Sequence, residues 1–257
     1  MGSLVYKGRE IEVDTHAVIN DIHVPYHDED VLSSFLEWCR DFKPDYIHIN
    51  GDFIDFPQIS KYDKDPDRLL QLQADLDMGI IILQNLKKAS PESKLIFHEG
   101  NHESRLHKYK WKNPELSTLR AFSVRSLLDL DKYCDEYYSY DEPYVWKETF
   151  IITHGSIVRK HSGQSAKGEI ESWGLSGISG HVHRGGCYHK TDRLGDKAWY
   201  ENFCMCKREK AEYINGIPNW QHGFSIIFFK TKTKRFYVQQ VPIINKGFIY
   251  NGHQYGE

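Results

Sequence analysis

The sequence has no long hydrophobic run and no strong excess of charge of either sign. None of its apolar stretches approaches the ~20 residues that a membrane-spanning helix needs. The formal net charge is -3, so no global basic field draws the chain to nucleic acid or to an anionic membrane. A local basic groove is still compatible with this value. Residues 1–12 lack the apolar core of a signal peptide, and we therefore expect a cytoplasmic protein that does not contact a membrane.

Cysteine is scarce: there are five, an odd number, and they are scattered along the chain. Only Cys204 and Cys206 are close together, and a single C-x-C pair is a poor indication of a zinc site. We interpret the cysteines as buried, reduced thiols. Histidine is plentiful by comparison, with 14 residues, and several of them lie beside Asp, Asn or Gly at the ends of predicted strands.

The first half of the chain alternates short apolar strands with amphipathic helices. Strands are predicted at 13–20, 46–49 and 94–98, and helices at 28–42 and 68–88. Strands that alternate with helices at this spacing are typical of βαβ units, which form a parallel sheet.

The second half has a different pattern. Asn113 followed by Pro114 predicts the start of a helix that continues to about Leu130. A strand is predicted at 150–153, and a hairpin at 224–229 and 235–241. We therefore expect one α/β domain over residues 1–257, with an irregular helical insertion at about 104–140.

Five of the short apolar segments stop at a small group of Asp, Asn, His and Gly. The groups are Asp21-Ile22-His23, Gly51-Asp52-Phe53-Ile54-Asp55, Gly100-Asn101-His102-Glu103, His154-Gly155 and Gly180-His181-Val182-His183. Ligands of open α/β sheets bind at the carboxyl ends of the strands, so we expect the groups to converge. Imidazole and carboxylate together suit divalent transition metals. Each group alone is weak evidence, but the five together predict a metal site.

This ordered set of motifs, from Asp21 to His183, resembles the calcineurin-like metallophosphoesterase superfamily. The resemblance implies a four-layer α/β sandwich, in which two mixed β-sheets are flanked by helices. It also implies two divalent metal ions, for which we expect manganese first and zinc, iron or nickel as alternatives. The implied metal ligands are Asp21, His23 and His183 for one ion, Asn101, His154 and His181 for the other, and Asp52 between them.

The same resemblance implies a hydrolytic mechanism. Two metal ions would share a water molecule and lower its pKa, and the resulting hydroxide would attack phosphorus in line with the leaving oxygen. His102 would face the substrate and, as general acid, would protonate the leaving group. A carboxylate behind its other ring nitrogen would fix the tautomer, and either Glu103 or Asp55 could supply it. We expect His102, Asp52 and Glu103 to be catalytic, and Asp55 is equally compatible with an Asx-type turn.

Two departures from the protein Ser/Thr phosphatases of the superfamily narrow the subclass. Those enzymes extend Gly-Asp-x-x-Asp with Arg-Gly, whereas Phe56 and Pro57 follow Asp55 here. They also lack the Gly-His-x-His pair, which this chain has as His181 and His183. The chain is therefore more similar to the phosphodiesterase and nuclease-like branch. A phosphomonoesterase is the alternative, and a non-catalytic binding module that kept the fold is a third hypothesis.

Basic residues beside the motifs are candidates for binding a phosphate ester. Arg105 and Arg184 could contact a phosphate oxygen, although solvated surface arginines would look the same in the sequence. The stretch 107–112 interleaves basic and aromatic residues, as a surface for single-stranded nucleic acid does. A helix flanked by lysines explains that pattern equally well. The substrate class therefore includes nucleotides and nucleic acid, and the oligomeric state leaves no trace in the sequence.

Overall fold

Two large β-sheets lie between helices in the computed structural model, which describes residues 2–6, 9–61, 71–208 and 218–257, with side chains from residue 12 onward. The helices are α1 (Glu29–Phe42), α2 (Leu72–Ala89), α3 (Ser104–Lys112), α4 (Val124–Leu127), α5 (Leu130–Tyr133) and α6 (Gln164–Trp173). The strands are β1 (Gly2–Tyr6), β2 (Arg9–Ile19), β3 (Tyr46–Asn50), β4 (Lys94–His98), β5 (Glu136–Tyr138), β6 (Tyr144–Trp146), β7 (Phe150–Thr153), β8 (Ser176–Ser179), β9 (Gly186–Asp192), β10 (Gly195–Glu201), β11 (His222–Lys230), β12 (Phe236–Ile243), β13 (Phe248–Tyr250) and β14 (His253–Tyr255).

The first sheet has seven strands in the order β12-β11-β2-β3-β4-β5, with β1 paired to β2. Strands β2, β3, β4 and β5 are parallel, as the βαβ pattern predicts, while β11 and β12 add an antiparallel edge. The second sheet has the order β6-β7-β8-β10-β9, with β7, β8 and β10 parallel and the outer strands antiparallel. Both sheets are therefore mixed, as expected.

Alternating side chains on the strands define the layers. In β2, Ala17 and Ile19 face the cluster built with α1 and α2, whereas Val18 between them faces the second sheet. Helix α6 covers the far side of the second sheet, where Ile170 packs with Trp199. The order of layers is helices, first sheet, second sheet and helix, which confirms the four-layer α/β architecture.

Helix α1 shows how local sequence starts these elements. The carboxylate of Asp28 accepts hydrogen bonds from the backbone amides of Asp30 and Val31, at 3.2 and 3.1 Å, and so caps the helix. The apolar face of α1, with Phe35 and Trp38 fully buried, then packs against the first sheet. Because helices of this kind return the chain across the sheet, the next strand again points its carboxyl end to the same edge.

The prediction of one helix from Pro114 to Leu130 is wrong. The structure has a single 3-10 turn at Pro114–Leu116, and α4 and α5 are one-turn helices. Ser117 donates its hydroxyl proton to the carbonyl of Pro114 at 2.6 Å, and Ser123 caps the separate helix α4. These serines compete with the helical backbone for hydrogen bonds, so the chain turns instead of continuing.

Several other elements were not predicted, among them α6, the β9–β10 hairpin and the short strands β1, β5, β6, β13 and β14. The predicted helix at 68–88 begins at Leu72 in the structure, and its residues 68–70 lie outside the described part of the chain. The hairpin predicted near the end of the chain is confirmed as β11 and β12. Within the described ranges, no helix combines the length and the apolar character that crossing a membrane requires.

Candidate metal centre

The loops that follow β2, β3, β4, β7 and β8 meet at one edge of the two sheets. They bring together the seven predicted ligands, which are Asp21, His23, Asp52, Asn101, His154, His181 and His183. Five of these residues have left-handed backbone conformations, with φ from 51° to 68°: Asp21, His23, Asp52, His181 and His183. Such conformations cost about 1–3 kcal/mol each and are found clustered at functional sites.

Asp52 lies at the centre of the site and is almost completely buried. Its Oδ2 is 3.2 Å from Nε2 of His154, 3.7 Å from Nε2 of His23 and 3.8 Å from Nε2 of His102. Its Oδ1 accepts a hydrogen bond from the backbone amide of His102 at 2.8 Å. One carboxylate oxygen therefore faces three imidazole nitrogens, a position from which Asp52 could contact two cations.

Asp21, His23 and His183 occupy one side of Asp52. Oδ1 of Asp21 is 2.9 Å from Nε2 of His183 and 3.6 Å from Nε2 of His23, and the two Nε2 atoms are 3.2 Å apart. The contact with His183 lacks hydrogen-bond geometry, and this buried oxygen has no hydrogen-bond partner among the described residues. A buried carboxylate oxygen beside two imidazole nitrogens fits a divalent cation, which would neutralise it.

Asn101, His154 and His181 occupy the other side of Asp52. Nε2 of His154 lies 3.1 Å from Oδ1 of Asn101, and the ligand atoms of Asp52, His154 and His181 all lie within 4.8 Å of one another. Asp21, His23 and Asp52 form a second group within the same limit. Because Asp52 belongs to both groups, the donor set fits two ions with one shared carboxylate.

Hydrogen bonds behind the imidazole rings turn their Nε2 atoms inward. Nδ1 of His154 is 3.0 Å from the carbonyl of Asn50, and Nδ1 of His23 is 2.9 Å from Oδ1 of Asp55. Such partners fix the tautomer of a metal-binding histidine and raise the basicity of the nitrogen that faces the metal.

The carboxylates make this site strongly attractive to positive charge. Burial alone would raise the pKa of Asp52, but the charges of His102, His154 and His23 hold this pKa well below its usual range. Burial would lower the pKa of His154, yet the carboxylate of Asp52 raises it to about 9. For His181, burial together with the charge of His154 lowers the pKa to about 4.

Two glycines allow the loops to approach one another closely. A Cβ atom on Gly51, whose φ is +86°, would lie 2.4 Å from Nδ1 of His154. A Cβ atom on Gly100 would lie 2.2 Å from Oδ1 of Asp52. Because either side chain would displace a candidate ligand, the glycines of these motifs are required by packing at the site.

His102 lies beside Asp52 with its ring held from behind by Asp55. Nδ1 of His102 is 2.8 Å from Oδ1 of Asp55 and 3.0 Å from the Asp55 carbonyl. Of the two carboxylates considered for this position, the structure therefore places Asp55 there. Nη2 of Arg105 lies 2.9 Å from Nε2 of His102, so the predicted substrate-binding arginine does reach the site.

Glu103 and Arg184 lie elsewhere than their predicted roles require. Glu103 is fully buried and accepts hydrogen bonds from the backbone amides of Asp52, Ile54 and Gly100 at 2.7–3.0 Å, so it ties two site loops together rather than contacting His102. Burial and the charge of Asp52 raise its pKa to about 7.

Arg184 is also largely buried. Its guanidinium group contacts the carbonyls of Arg159 and Lys160, and its Nε lies 3.6 Å from Oε2 of Glu201. These contacts direct the guanidinium group toward the neighbouring loop and not toward Asp52. The adjacency of Arg184 to His183 in the sequence therefore does not place this cation among the candidate ligands.

Three neighbours of the site were not predicted to be there. The Sγ atom of Cys206 lies 3.9 Å from Nδ1 of His183, and the Trp220 ring packs on the His183 ring at 4.1 Å. The ring of Tyr140 lies 6.5 Å from that of His154. Only Cys206 had a signal in the sequence, the close Cys204–Cys206 pair, because the others reach the site through tertiary packing.

Comparison with known proteins identifies the family to which the chain belongs. The family model described as calcineurin-like phosphoesterase matches residues 15–214, more than half of the chain, and this range contains all seven candidate ligands. The Gene 54 proteins of Mycobacterium phages D29 and L5 are also similar. The D29 protein is 26% identical over 251 residues, which cover 92% of this chain and 96% of that protein. The L5 protein is 27% identical over 252 residues, which cover 91% of this chain and 96% of that protein.

Two solved structures resemble the fold at low identity. The vacuolar protein sorting 29 protein of Cryptosporidium parvum has a TM-score of 0.45 at 13% identity, covering 94% of both chains. Yfce, a phosphoesterase from E. coli, has a TM-score of 0.41 at 9% identity, covering 90% of this chain and all of that one (100%). It is the match of the family model over most of the chain that decides the assignment: the chain belongs to the calcineurin-like phosphoesterase family, whose members hydrolyse phosphate esters with divalent metals.

Proposed function

We propose that the chain hydrolyses phosphodiester bonds at a centre of two divalent metal ions. The observation that carries this proposal is the position of Asp52, which belongs to both groups of candidate ligands and faces three imidazole nitrogens. The proposed ligands are Asp21, His23 and His183 on one side and Asn101, His154 and His181 on the other. Once bound, two such ions supply an activated water and a positive clamp on the phosphate. Manganese is the first candidate.

His102 is the proposed general acid. Its Nε2 lies 3.8 Å from Oδ2 of Asp52, so it is close to where a phosphate ester held by the two ions would need a proton on its leaving oxygen. Asp55 behind the ring keeps Nε2 in this direction. We assign Arg105 the role of substrate contact, because its guanidinium group lies beside Nε2 and can turn from His102 to a phosphate oxygen.

The cations around the centre favour a diester over a monoester. A diester carries one negative charge and a monoester about two at neutral pH. The guanidinium of Arg184 is already occupied by Glu201 and two loop carbonyls, which leaves Arg105 as the arginine beside His102. Among the described residues, the site therefore has few cations to offset a second phosphate charge, which supports the diesterase branch.

Hydrolysis of two small substrates tests this proposal. The chain is stripped of metal with a chelator, reloaded with Mn²⁺, and assayed with bis-p-nitrophenyl phosphate and p-nitrophenyl phosphate. We expect faster turnover of the diester, no turnover before reloading, and none in the Asp52→Asn variant, which keeps a hydrogen-bond acceptor but removes the shared charge. Faster monoester turnover would identify a phosphomonoesterase instead. Bound metal without hydrolysis of either substrate would favour a binding module. The cytoplasmic location stays a prediction.

A further inference from the structure

Helix α3 begins immediately after the loop that carries Asn101, His102 and Glu103. One face of the helix packs inward, and the other is exposed to solvent. Leu106 is buried, Nε2 of His107 lies 3.0 Å from a carboxylate oxygen of Glu99, and the ring of Tyr109 packs edge-on against Phe122. These side chains belong to the inward face. Two of the six residues in the basic and aromatic stretch at 107–112, His107 and Tyr109, are therefore explained by packing, and the residues on the outer face are still to be explained.

The outer face consists of Lys108, Trp111 and Lys112. All three side chains are exposed, and Trp111 exposes 77% of its surface. Nζ of Lys108 donates to the hydroxyl of Ser104 at 3.2 Å, and neither lysine forms an ion pair with a carboxylate in the described part of the chain. A large aromatic ring between two uncompensated ammonium groups is unusual on a chain with a net charge of -3.

This face is continuous with the metal centre. Arg105, which reaches Nε2 of His102, precedes Lys108 by three residues, and Lys112 follows Lys108 by four, so the three cations follow one side of the helix. Successive cations are separated by about one helical turn, or ~5.4 Å along the axis. The Ser104 hydroxyl, which accepts from Lys108, donates to the backbone carbonyl of Asn101 at 2.8 Å, so two hydrogen bonds join Lys108 to the loop that carries a candidate ligand.

We propose that the outer face of α3, formed by Lys108, Trp111 and Lys112, binds a single-stranded nucleic acid and leads it past Arg105 to the metal centre. This inference rests on the proposed diesterase function, since it names the class of diester. The lysines would contact backbone phosphates, and Trp111 would stack on a base. Stacking on a side chain requires an unpaired base, which is why the face fits a single strand better than a duplex. A membrane surface would satisfy the lysines but offers nothing to stack on the Trp111 ring.

Binding of a fluorescein-labelled oligothymidylate to the full chain, followed by anisotropy, tests this surface. The measurement is made in EDTA, where no cleavage occurs, and repeated with Mn²⁺. We expect the Lys108→Gln/Lys112→Gln double variant to weaken binding and to reduce the slope of log K against log salt by about 1.4, or ~0.7 for each lost phosphate contact. Trp111→Ala should raise Kd about tenfold, and Trp111→Tyr, which keeps a stacking ring, should restore most of the affinity.

Lys88→Gln provides a matched control, because Lys88 is an exposed lysine near the C-terminus of α2, at the opposite edge of the sheet. It should change neither Kd nor the salt slope. Equal Kd values for the α3 variants and the control would overturn the proposal, as would tighter binding of a duplex of the same length. Tight binding of the oligonucleotide without cleavage in Mn²⁺ would contradict the diesterase function and leave the surface intact. Cleavage of bis-p-nitrophenyl phosphate without oligonucleotide binding would contradict the nucleic-acid surface and leave the diesterase function intact.

Discussion

The carboxylate of Asp55 lies directly behind the ring of His102, with Oδ1 at 2.8 Å from Nδ1. The same oxygen is 2.9 Å from Nδ1 of His23, so one aspartate positions both a candidate metal ligand and the proposed general acid. Burial would raise the pKa of Asp55, but its contacts with His102 and His23 hold this pKa well below its usual range. Asp55 therefore stays ionised and couples two parts of the site that would otherwise be independent.

Asp55→Asn should lower activity without unfolding the chain. The amide removes the charge that fixes both rings, and losses of such partners cost about 10–100-fold in metal affinity or activity. Titration of Mn²⁺ with rate measurement at each concentration separates the two effects. Asp77→Asn, an exposed change on α2, serves as the control. Unaltered activity and metal affinity would mean that Asp55 forms only a turn.

His102→Ala should leave two metal ions per chain while slowing hydrolysis of substrates with poor leaving groups. The expected loss is about 10²–10⁴-fold for a dinucleotide, since its alkoxide leaving group needs a proton. The loss should be smaller for bis-p-nitrophenyl phosphate, because nitrophenolate leaves without one. Metal content by elemental analysis and rates on both substrates check this, with His107→Ala as the neighbouring control. Equal losses on both substrates would remove His102 from the role of general acid.

Glu103→Ala should destabilise the fold more than it affects the chemical step. It leaves the backbone amides of Asp52, Ile54 and Gly100 without their acceptor in a buried place, which costs roughly 3–5 kcal/mol in total. Urea denaturation measures this change. Glu103→Gln keeps one acceptor oxygen, so its free energy of unfolding should lie between that of the unchanged chain and that of Glu103→Ala. A Glu103→Gln variant with full stability and no activity would instead restore the catalytic role that the sequence suggested.

A row of buried histidines between the two sheets should make stability depend on pH. Nδ1 of His16 is 2.8 Å from Nε2 of His48, whose Nδ1 is 2.9 Å from Nε2 of His98. Burial lowers the pKa of His16 and of His98 to about 3, and burial with the two neighbouring rings lowers that of His48 well below its usual range.

The sign of the effect follows from these directions. Above pH ~6.5 the histidines are neutral in both states, but at lower pH the unfolded chain takes up protons that the folded chain refuses. The row should therefore lower the free energy of unfolding by up to about 4 kcal/mol per pH unit as the pH falls from ~6.5 toward ~3. In His48→Gln this slope should decrease by about 1.4 kcal/mol per pH unit. Urea denaturation at several pH values measures both, and identical slopes would contradict the expectation.

Much of the fold was predictable because the signals are local. The Asp28 cap and the apolar face of α1 each depend on residues that are close together in the sequence. The alternation of strands and helices up to His98 is likewise visible in local patterns of apolar residues. The region from Pro114 to about Leu130 was predicted wrongly because proline starts a helix that serine side chains then interrupt. Strands such as β5 and β6 have only three residues, too few for a periodic pattern to show.

The sequence by itself determined which chemistry the chain can carry: five strand ends with Asp, Asn and His, and glycines where the loops must meet. Only the tertiary structure decided the roles within that set. Asp52 and His154 are 102 positions apart in the numbering but 3.2 Å apart in space, and the left-handed conformations that aim the ligands depend on the surrounding packing. Asp55 rather than Glu103 lies behind His102 because adjacency along the chain does not fix side-chain direction, whereas the packing of the loops after the neighbouring strands β3 and β4 does.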